Sequence, residues 1–465
     1  MKLKALIACS NELGQLDVMG ITDNSKNVKD GFVFIDTHNN PQYTADAVKN
    51  GAIALVTENK ANFKNEIIVK NAVAAYAEMS AKWFSCPAND LTLIGVTGTN
   101  GKTTVTYLLK EILEKAGKKV GVVGTIQNVI DGKTVPAVNT TPDAFELNRL
   151  LSLMRDNGCQ YAVIEVSSHA LSLGRVEGLH FDTAVFTNLT QDHLDYHQNM
   201  ESYFLAKKKL FSMCDNAVIN IDNDYGKRLF GETVCKKAAV SAESDADYIA
   251  KSVNLLKSSV EYALLTDTIT PITVKIPGKF TVYNSLCAIA VADFLKIDRS
   301  VTVKALREFN GVKGRAEVLP NTKDFTVIID YAHTPDGLKN ILKTFKDCPK
   351  NRLILLFGCG GDRDKTKRPL MGEIASIYAD YVIVTSDNPR TEDPKAIISD
   401  ILKGISNLKP CKIIENRAEA IKFALSIAQK DDIIVLAGKG HETYQILGKE
   451  KIHFDEREVV AEYLS

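Results

Sequence analysis

A glycine-rich turn between a strand and a helix constrains this chain more than any other feature. Leu91-Thr-Leu-Ile-Gly-Val96 is an apolar run of strand length, and Gly98-Thr-Asn-Gly-Lys-Thr-Thr104 follows it. From Thr103 onward the apolar residues fall on one face of a helix: Val105, Leu108, Leu109, Ile112 and Leu113. Such a turn aims backbone N–H groups and a helix N-terminus at phosphate oxygens. It predicts a P-loop for a nucleoside triphosphate, and the alternative is a glycine turn without a ligand, since Val96 replaces the first glycine of the strict motif.

The residue types of the turn predict individual roles. Lys102 would reach the terminal phosphates, and the Thr103 hydroxyl would hold Mg²⁺. The predicted nucleotide-binding set is the whole turn: Gly98, Thr99, Asn100, Gly101, Lys102, Thr103 and Thr104.

Strands alternate with helices over most of the chain. Strands of the buried type are predicted at residues 120–123, 161–166, 183–189 and 217–221. A second series begins near Phe325, with strands at 326–330, 353–357, 381–385, 412–414 and 432–436 and helices at 369–379 and 418–429. This alternation predicts βαβ units, mainly parallel sheets and the α/β class.

The chain length predicts about three domains. The chain has 465 residues, and a domain averages roughly 150. Residues 1–88, which show short strands, turns and one helical pattern near 45–50, would form a small α/β domain. Residues 89–313 would form the central P-loop domain. Residues 314–465 would form a doubly wound, Rossmann-like domain, with the boundary near Gly311-Val-Lys-Gly-Arg315.

Charge and cysteine usage exclude several classes of protein. The 57 basic and 57 acidic residues give a net charge of zero, which disfavours nucleic-acid binding. No apolar run approaches the roughly 18 residues of a membrane span, and the N-terminal apolar run of about five residues is too short for a signal peptide. The chain is therefore expected in the cytoplasm. No pair among the nine cysteines has CxxC spacing, so disulfides and zinc are not expected.

Further motifs occur in a fixed order along the chain. They are Thr140-Thr-Pro142, Glu165-Val-Ser-Ser-His-Ala-Leu171, Asn188-Leu-Thr-Gln-Asp-His-Leu-Asp-Tyr-His197, Ala206-Lys-Lys-Lys-Leu-Phe211, Gly314-Arg-Ala-Glu317, Asp330-Tyr-Ala-His-Thr-Pro335, Asp387-Asn-Pro-Arg390 and Gly438-Lys-Gly-His-Glu442. Together with the P-loop they resemble the Mur ligases, the ATP-dependent amide-forming enzymes of peptidoglycan synthesis. The set is most similar to the branch that adds the third residue of the peptide stem, and the segment 24–31 resembles its uridine-binding turn.

The resemblance implies acyl activation followed by amide formation. A carboxylate would attack the γ-phosphate of ATP, and an amine would then displace phosphate from the acyl phosphate. The implied partners are UDP-N-acetylmuramoyl-L-alanyl-D-glutamate, meso-diaminopimelate, ATP and Mg²⁺, with a monomeric chain and no nucleic-acid or membrane partner. The alternatives are a lysine-adding ligase, a folylpolyglutamate synthetase and a nucleotide-binding regulatory relative without ligase activity. A nucleic-acid motor is disfavoured by the zero net charge.

The resemblance also implies a catalytic set in the central domain. Glu165 and His193 would ligate Mg²⁺ together with Thr103, and Lys207 would do so as a carbamate. A carboxylate such as Glu165 at the end of an apolar strand is costly without a cation, which agrees with this role. The alternatives are a salt-bridged Glu165, a surface His193 and a solvated helix face around Lys207.

The remaining assignments follow from the same resemblance. Arg315 would meet the γ-phosphate. Asn284, Asp330 and His333 would bind ATP; for Asp330 and His333 the alternative is a structural role at a strand end. The muramoyl dipeptide would be held by Ser25, Thr140, Thr141, Ser167 and Arg175. The incoming amino acid would be held by Arg363, Asp387, Asn388, Arg390, Gly438 and Glu442.

Even without the resemblance, the positions of the motifs directly after strands predict a binding site in the C-terminal domain. Doubly wound sheets bind ligands beyond the carboxyl ends of their strands. His333 and the segments 358–363, 387–390 and 438–442 each follow a strand directly, so we expect them at one sheet edge. The planar donors of Arg390 suit the extra carboxylate that distinguishes diaminopimelate from lysine, whereas the alternative is a surface arginine.

Overall fold

The computed structural model describes residues 1–346, 348 and 350–464. The chain divides into two compact units, which are described separately. Unit 1 comprises Met1–Val240 and Cys287–Arg299, and unit 2 comprises Ser241–Leu286 and Ser300–Ser465. Helices and mainly parallel sheets occur in both, so the predicted α/β class is confirmed. The boundaries at residues 88 and 313 stay a prediction.

The helices are α1 (Asn11–Gly14), α2 (Pro41–Lys49), α3 (Ala72–Trp83), α4 (Lys102–Lys115), α5 (Ala144–Asp156), α6 (Ser168–Ser172), α7 (Leu194–His197), α8 (Met200–Lys208), α9 (Asp224–Glu232), α10 (Lys279–Phe294), α11 (Arg299–Glu308), α12 (Pro335–Lys346), α13 (Lys367–Tyr378), α14 (Pro394–Leu402), α15 (Arg417–Ser426) and α16 (Glu456–Leu464). No helix in the described part of the chain combines the length and apolar character needed to cross a bilayer.

The strands are β1 (Gly20–Thr22), β2 (Phe32–Ile35), β3 (Ala54–Thr57), β4 (Glu66–Ile68), β5 (Thr92–Thr97), β6 (Val120–Val123), β7 (Asn128–Ile130), β8 (Lys133–Val135), β9 (Tyr161–Glu165), β10 (Phe181–Phe186), β11 (Cys214–Asn220), β12 (Lys236–Ser241), β13 (Tyr248–Leu255), β14 (Val260–Leu265), β15 (Ile269–Val274), β16 (Glu317–Leu319), β17 (Thr326–Asp330), β18 (Leu353–Phe357), β19 (Tyr381–Val384), β20 (Cys411–Ile413), β21 (Ile433–Ala437), β22 (Tyr444–Leu447) and β23 (Glu450–His453).

The N-terminal part of unit 1 is more helical than predicted. Its parallel strands pair in the order β1-β2-β3-β4. The helix predicted near residues 45–50 already begins at Pro41, and α3 was not predicted. Alanine favours helix in α3, and the Asn71 side chain accepts a hydrogen bond from the Ala74 N–H, as an N-cap does.

The larger sheet of unit 1 places the glycine turn at its centre. Its strands pair in the order β12-β11-β10-β5-β9-β6-β7-β8, and those from β12 to β6 are parallel. The apolar residues of β9 and β10 are buried in a core with α5 and α8. Because β10, β5 and β9 are neighbours and parallel, the residues that follow them lie at one sheet edge.

Unit 2 contains the second doubly wound sheet. Its strands pair in the order β16-β17-β21-β18-β19-β20, and only β16 is antiparallel to its neighbour. The core of this sheet includes Val327, Ile354 and Ile434. The carboxyl ends of β17, β21, β18 and β19 therefore lie side by side, as the predicted convergence of the motifs requires. Strands β13–β15 of this unit pair with one another as an antiparallel meander.

Candidate active site

The glycine turn closes tightly against the end of β10. Gly98 has a φ of +147°, and a Cβ at this position would lie 1.9 Å from Thr187 Oγ1. Gly101 has a φ of +89° and immediately precedes α4, which begins at Lys102. Both positions therefore require glycine, and the N-terminus of α4 follows the turn directly, as in a phosphate site.

The polar residues of the turn are fixed by their neighbours. The Thr99 hydroxyl lies 3.2 Å from the Tyr203 hydroxyl, and the Asn100 N–H donates to Asn188 Oδ1 at 3.0 Å. Thr104 is buried in the first turn of α4. These contacts hold the polar residues of the loop in place.

Two lysine side chains donate to the same carbonyl of the turn. Lys102 Nζ lies 3.0 Å from Gly98 O and 2.9 Å from Thr99 O. Lys207 Nζ, from α8, lies 2.8 Å from Gly98 O. Sharing one carbonyl brings the two amino groups close together at the turn, where phosphate is expected.

Lys207 is a buried residue, so the solvated helix face considered for it is wrong. It is 1% exposed, whereas the side chain of its neighbour Lys208 is 39% exposed. Burial lowers the pKa of Lys207 well below its usual range, and the positive charge of Lys102 lowers this pKa further. A lysine with a depressed pKa has a neutral fraction that can act as a nucleophile.

Glu165 is fully buried at the end of β9, and its partners are neutral. The carboxylate accepts hydrogen bonds from Thr103 Oγ1 at 3.0 Å, Thr125 Oγ1 at 2.9 Å and the Thr125 N–H at 3.0 Å. Among the described residues, no basic side chain forms an ion pair with Glu165, so the alternative of a salt-bridged Glu165 is wrong. Carboxylate and hydroxyl oxygens are ligands that Mg²⁺ accepts.

His193 immediately precedes α7 and has Asp192 and His169 as neighbours. Its side chain is 45% exposed, its Nε2 is 3.4 Å from Asp192 Oδ2, and its ring centre is 5.0 Å from that of His169. Desolvation lowers the pKa of His193 against the opposing effect of Asp192. Within the described residues no hydrogen bond joins His193 to Glu165, and no three His, Cys, Asp or Glu side chains converge as metal ligands.

The residues predicted to hold the muramoyl dipeptide mostly lie beside Glu165. Thr141 Oγ1 donates to the Glu165 carbonyl at 2.7 Å and accepts from the Ser167 N–H at 3.1 Å. Arg175 Nη1 donates to Thr141 O at 2.8 Å. Thr140 joins the same group, because its hydroxyl lies 3.1 Å from that of Thr125, which binds Glu165.

Ser25 does not belong to this group. It is buried in a short 3-10 helix of the N-terminal part, and its carbonyl accepts from Asn50 Nδ2 at 3.0 Å. Asn24 caps this helix by accepting from the Lys26 N–H at 3.1 Å. The turn is therefore well ordered by local hydrogen bonds, and its role in binding stays a prediction.

In unit 2 the loops after β19 and β21 meet around a buried lysine. Lys439 Nζ lies 3.3 Å from Asp387 Oδ1, 3.2 Å from Asn388 Oδ1 and 3.2 Å from Glu442 Oε2. Asn388 Nδ2 also donates to Glu442 Oε2 at 2.9 Å. We call these four residues the Lys439 cluster. The structure therefore joins the two predicted amino-acid-binding motifs, while the sequence reasoning missed Lys439.

Arg390 belongs to the same edge and is not a simple surface residue. It is partly buried, has a φ of +52°, and its Nη1 donates to Gly361 O at 2.8 Å. A Cβ at Gly360 would lie 2.9 Å from this nitrogen, so the end of the Arg390 side chain packs closely against the loop after β18. Gly438 has a φ of +114° and lies beside Asp387, since a Cβ there would be 3.5 Å from Asp387 Oδ2.

Arg363 is exposed on the loop after β18. Its Nη1 reaches only Asp362 O, at 3.5 Å. Within the described residues no hydrogen bond joins Arg363 to the Lys439 cluster. The structure thus brings together Asp387, Asn388, Gly438 and Glu442, but not Arg363.

Arg315 lies over an aromatic ring in unit 2. Its guanidinium carbon is 5.0 Å from the Tyr331 ring centre, and its Nε is buried with no hydrogen-bond partner in the described structure. Asp330 Oδ2 accepts from the Ala316 N–H at 2.7 Å, which fixes the next residue of the same turn. Burial raises the pKa of Asp330, although Arg315 opposes this shift.

Two further residues of unit 2 were predicted to bind nucleotide. Asn284 lies in α10 and is buried, and its Nδ2 has no hydrogen-bond partner among the described residues. A buried amide without a partner is costly, so this donor fits a ligand acceptor. His333 is exposed just after β17, and its Nδ1 lies 2.9 Å from Tyr331 O.

The chain matches two family models over most of its length. Residues 96–292 match the Mur ligase middle domain, and residues 314–440 match the Mur ligase, glutamate ligase domain. The UDP-N-acetylmuramoyl-L-alanyl-D-glutamate–2,6-diaminopimelate ligase of Caldanaerobacter subterraneus is 52% identical over 84% of this chain and 82% of its own length. The ligase of the same name from Oceanobacillus iheyensis is 42% identical over 99% of this chain and 98% of its own length.

A solved structure agrees with these relatives. The structure of a UDP-N-acetylmuramoyl-L-alanyl-D-glutamate–2,6-diaminopimelate ligase has a TM-score of 0.74 and 32% identity, and the match covers 100% of this chain and 98% of that one. The chain therefore belongs to the Mur ligase family. It is thus a ligase, and the predicted family is confirmed.

Proposed function

We propose that this chain is the ATP-dependent ligase that joins meso-diaminopimelate to UDP-N-acetylmuramoyl-L-alanyl-D-glutamate. The glutamyl carboxylate attacks the γ-phosphorus of ATP, and ADP leaves. The amine of diaminopimelate then attacks the acyl carbon, and phosphate leaves. The names of the relatives and the geometry of both units support this proposal.

The glycine turn of unit 1 has the groups that the first step needs. The Lys102 ammonium leaves the Gly98 carbonyl and neutralises the terminal phosphates, while the N–H groups of α4 bind them. Thr103, Glu165 and His193 would hold Mg²⁺, which when bound neutralises phosphate charge. We include Lys207 as a carbamate, since a buried neutral amine can react with CO₂ and the resulting anion would lie beside Lys102.

Unit 2 has the groups that recognise the amine donor. The Arg390 guanidinium would bind the distal carboxylate of diaminopimelate, and the Glu442 carboxylate would bind its distal ammonium group. Asp387, Asn388 and Gly438 would complete this site, with Arg363 reaching it from the exposed loop. Arg315, Asp330, His333 and Asn284 would bind the nucleotide, and the unpartnered nitrogens of Arg315 and Asn284 support this assignment.

One observation carries the proposal. The motif that contains Arg390 and the motif that contains Glu442 come from separate strands, yet Asn388 and Lys439 join them by hydrogen bonds. A regulatory relative that only bound nucleotide would not need acidic, basic and amide groups assembled at this second sheet edge. The cytoplasmic location, the monomeric state and the muramoyl-binding roles of Ser25, Thr140, Thr141, Ser167 and Arg175 stay predictions.

The test is a ligation assay with the purified chain. ATP, Mg²⁺ and the UDP-muramoyl dipeptide are combined with diaminopimelate or lysine, and phosphate release and product mass are measured. We expect phosphate release only with dipeptide and diaminopimelate, together with the mass of the tripeptide product. A product with lysine alone would favour the lysine-adding alternative. ATP hydrolysis that ignores the dipeptide would favour the regulatory relative.

A further inference from the structure

Lys439 occupies the centre of the amine-donor site but is absent from the proposed set of substrate ligands. Its side chain is 0% exposed, and its ammonium contacts both carboxylates of the Lys439 cluster. Its third partner is Asn388 Oδ1, which also accepts from the Ile446 N–H at 3.0 Å. These three partners use all three N–H donors of the Lys439 ammonium. Lys439 can therefore influence a bound substrate through its charge, but not by donating a hydrogen bond to it.

The charges of the cluster do not cancel. Asp387 and Glu442 contribute two negative charges, and Lys439 contributes one positive charge, which leaves one net negative charge. The pair Arg417–Glu456, whose Nη2 and Oε1 are 2.8 Å apart, lies buried nearby but is neutral as a pair. Arg390 adds a positive charge on the same loop as Asp387, bound to the Gly361 carbonyl.

We propose that Lys439 is a specificity-determining residue that limits the negative charge of the amine-donor site. This inference rests on the proposed function. One negative charge suits a single substrate ammonium, while Arg390 remains available for the adjacent carboxylate. Without Lys439 the two carboxylates would attract a purely cationic side-chain end more strongly, and the site would tolerate lysine.

A purely structural role would have a different consequence. A lysine that only held two loops together would, when replaced, lower the activity with both amino acids by the same factor. If Lys439 instead limits the negative charge of the site, its replacement changes the activity with diaminopimelate relative to the activity with lysine. The ratio of kcat/KM with diaminopimelate to kcat/KM with lysine is therefore the quantity to measure.

The experiment compares variants of the full chain at saturating ATP and dipeptide. Lys439→Gln keeps a hydrogen-bond donor but removes the charge, and we expect the ratio to fall about tenfold or more. Lys439→Arg keeps the charge and should keep a ratio near that of the wild type. The matched control is Lys422→Gln, which removes a charge from the same unit, where Lys422 pairs weakly with Glu419 at 3.8 Å.

A second variant covers the case in which Lys439→Gln does not fold. Lys439→Gln combined with Asp387→Asn returns the cluster to one negative charge. We expect this protein to fold and its ratio to move back toward the wild-type value. If Lys439→Gln changes both activities equally, or if the double variant is also unfolded, Lys439 is structural and the proposal is overturned.

The wild-type measurement separates this inference from the proposed function. If the wild type makes no product with diaminopimelate, the proposed function fails. If the wild type prefers diaminopimelate and Lys439→Gln keeps that preference, only the role of Lys439 fails.

Discussion

The two units bury a lysine in opposite ways. Lys207 in unit 1 has a carbonyl and the Tyr203 ring as its neighbours, and the repulsion from Lys102 exceeds the attraction from Asp192. Lys439 in unit 2 lies between two carboxylates. Both side chains are almost fully buried, at 1% and 0% exposure.

The different charged neighbours of Lys207 and Lys439 determine what each buried amine can do chemically. At Lys207 burial and the charge of Lys102 outweigh the opposing charge of Asp192, so this site favours a neutral, reactive amine. The Lys439 ammonium instead pairs with two carboxylates, and removing it would leave them uncompensated. Unit 1 thus has an amine with a depressed pKa beside the glycine turn, and unit 2 has a charge-paired amine in the proposed amine-donor site.

The largest expected contrast is in stability. Lys439→Met leaves two buried carboxylates uncompensated and should lower the free energy of unfolding by about 3–5 kcal/mol. Lys207→Met removes an unfavourable buried amine and, in bicarbonate-free buffer at pH 7, should not lower the stability. Denaturant unfolding measures both.

The pH dependence sharpens this contrast. The native pKa of Lys207 is depressed, so between that pKa and about 10.4 the unfolded chain binds more protons and wild-type stability rises with pH. The advantage of Lys207→Met should therefore shrink as the pH rises toward 10. Equal losses for Lys207→Met and Lys439→Met at pH 7 would contradict the comparison.

The next largest effect concerns catalysis. Lys207→Ala should lower kcat roughly 100- to 1000-fold, because it removes the anion that the proposed carbamate would provide at the glycine turn. Added acetate should restore part of the activity, and the KM for ATP should change less than kcat. Lys208→Ala is the control, since Lys208 pairs with Glu232 on the exposed side of α8. Full activity of Lys207→Ala would refute the assigned role.

Arg390 provides a smaller, substrate-specific effect. A charge-assisted pair with a carboxylate contributes on the order of 1.5–3 kcal/mol, so Arg390→Ala should lower kcat/KM for diaminopimelate ~10–100-fold. The KM for ATP should stay nearly unchanged. Arg307→Ala, at an exposed position in the last turn of α11, is the control. An Arg390→Ala enzyme that still prefers diaminopimelate over lysine would show that another group makes the choice.

The smallest effect concerns the unpartnered amide of Asn284. Asn284→Leu removes a buried donor that has no partner in the described structure, so the ligand-free protein should be no less stable. ADP affinity, measured by calorimetry, should fall roughly 5–10-fold with the loss of one hydrogen bond. Asn340→Ala, which removes an exposed bond to Asp336 Oδ2 at 3.1 Å, should leave ADP binding unchanged. Unaltered ADP binding by Asn284→Leu would remove this residue from the nucleotide site.

Local sequence patterns predicted the sheets and the glycine turn well. The apolar runs at 326–330 and 353–357 are strands with those bounds, since both faces of a parallel strand are buried. Other strands differ by a few residues, such as β10, which begins at Phe181 rather than Thr183. The predicted convergence of the loops after β19 and β21 is present, because strand order alone determines it.

Other features depend on tertiary contacts that periodicity does not report. Lys207, Lys208 and Lys209 are equivalent in sequence, and only the packing of α8 shows that Lys207 is buried. Lys439 lies within a motif that the sequence singled out, but two of its three partners, Asp387 and Asn388, follow a separate strand. A lysine flanked by glycines directly after an apolar strand was the available signal for it.

The state of Lys207 tests the central claim most directly. The protein is equilibrated with ¹³C-bicarbonate, and its ¹³C NMR spectrum is recorded for the wild type, Lys207→Ala and Lys439→Gln. We predict a carbamate signal in the wild type and in Lys439→Gln that is absent from Lys207→Ala. No carbamate signal in a fully active wild type, or an unchanged signal in Lys207→Ala, would contradict the account of the two buried lysines.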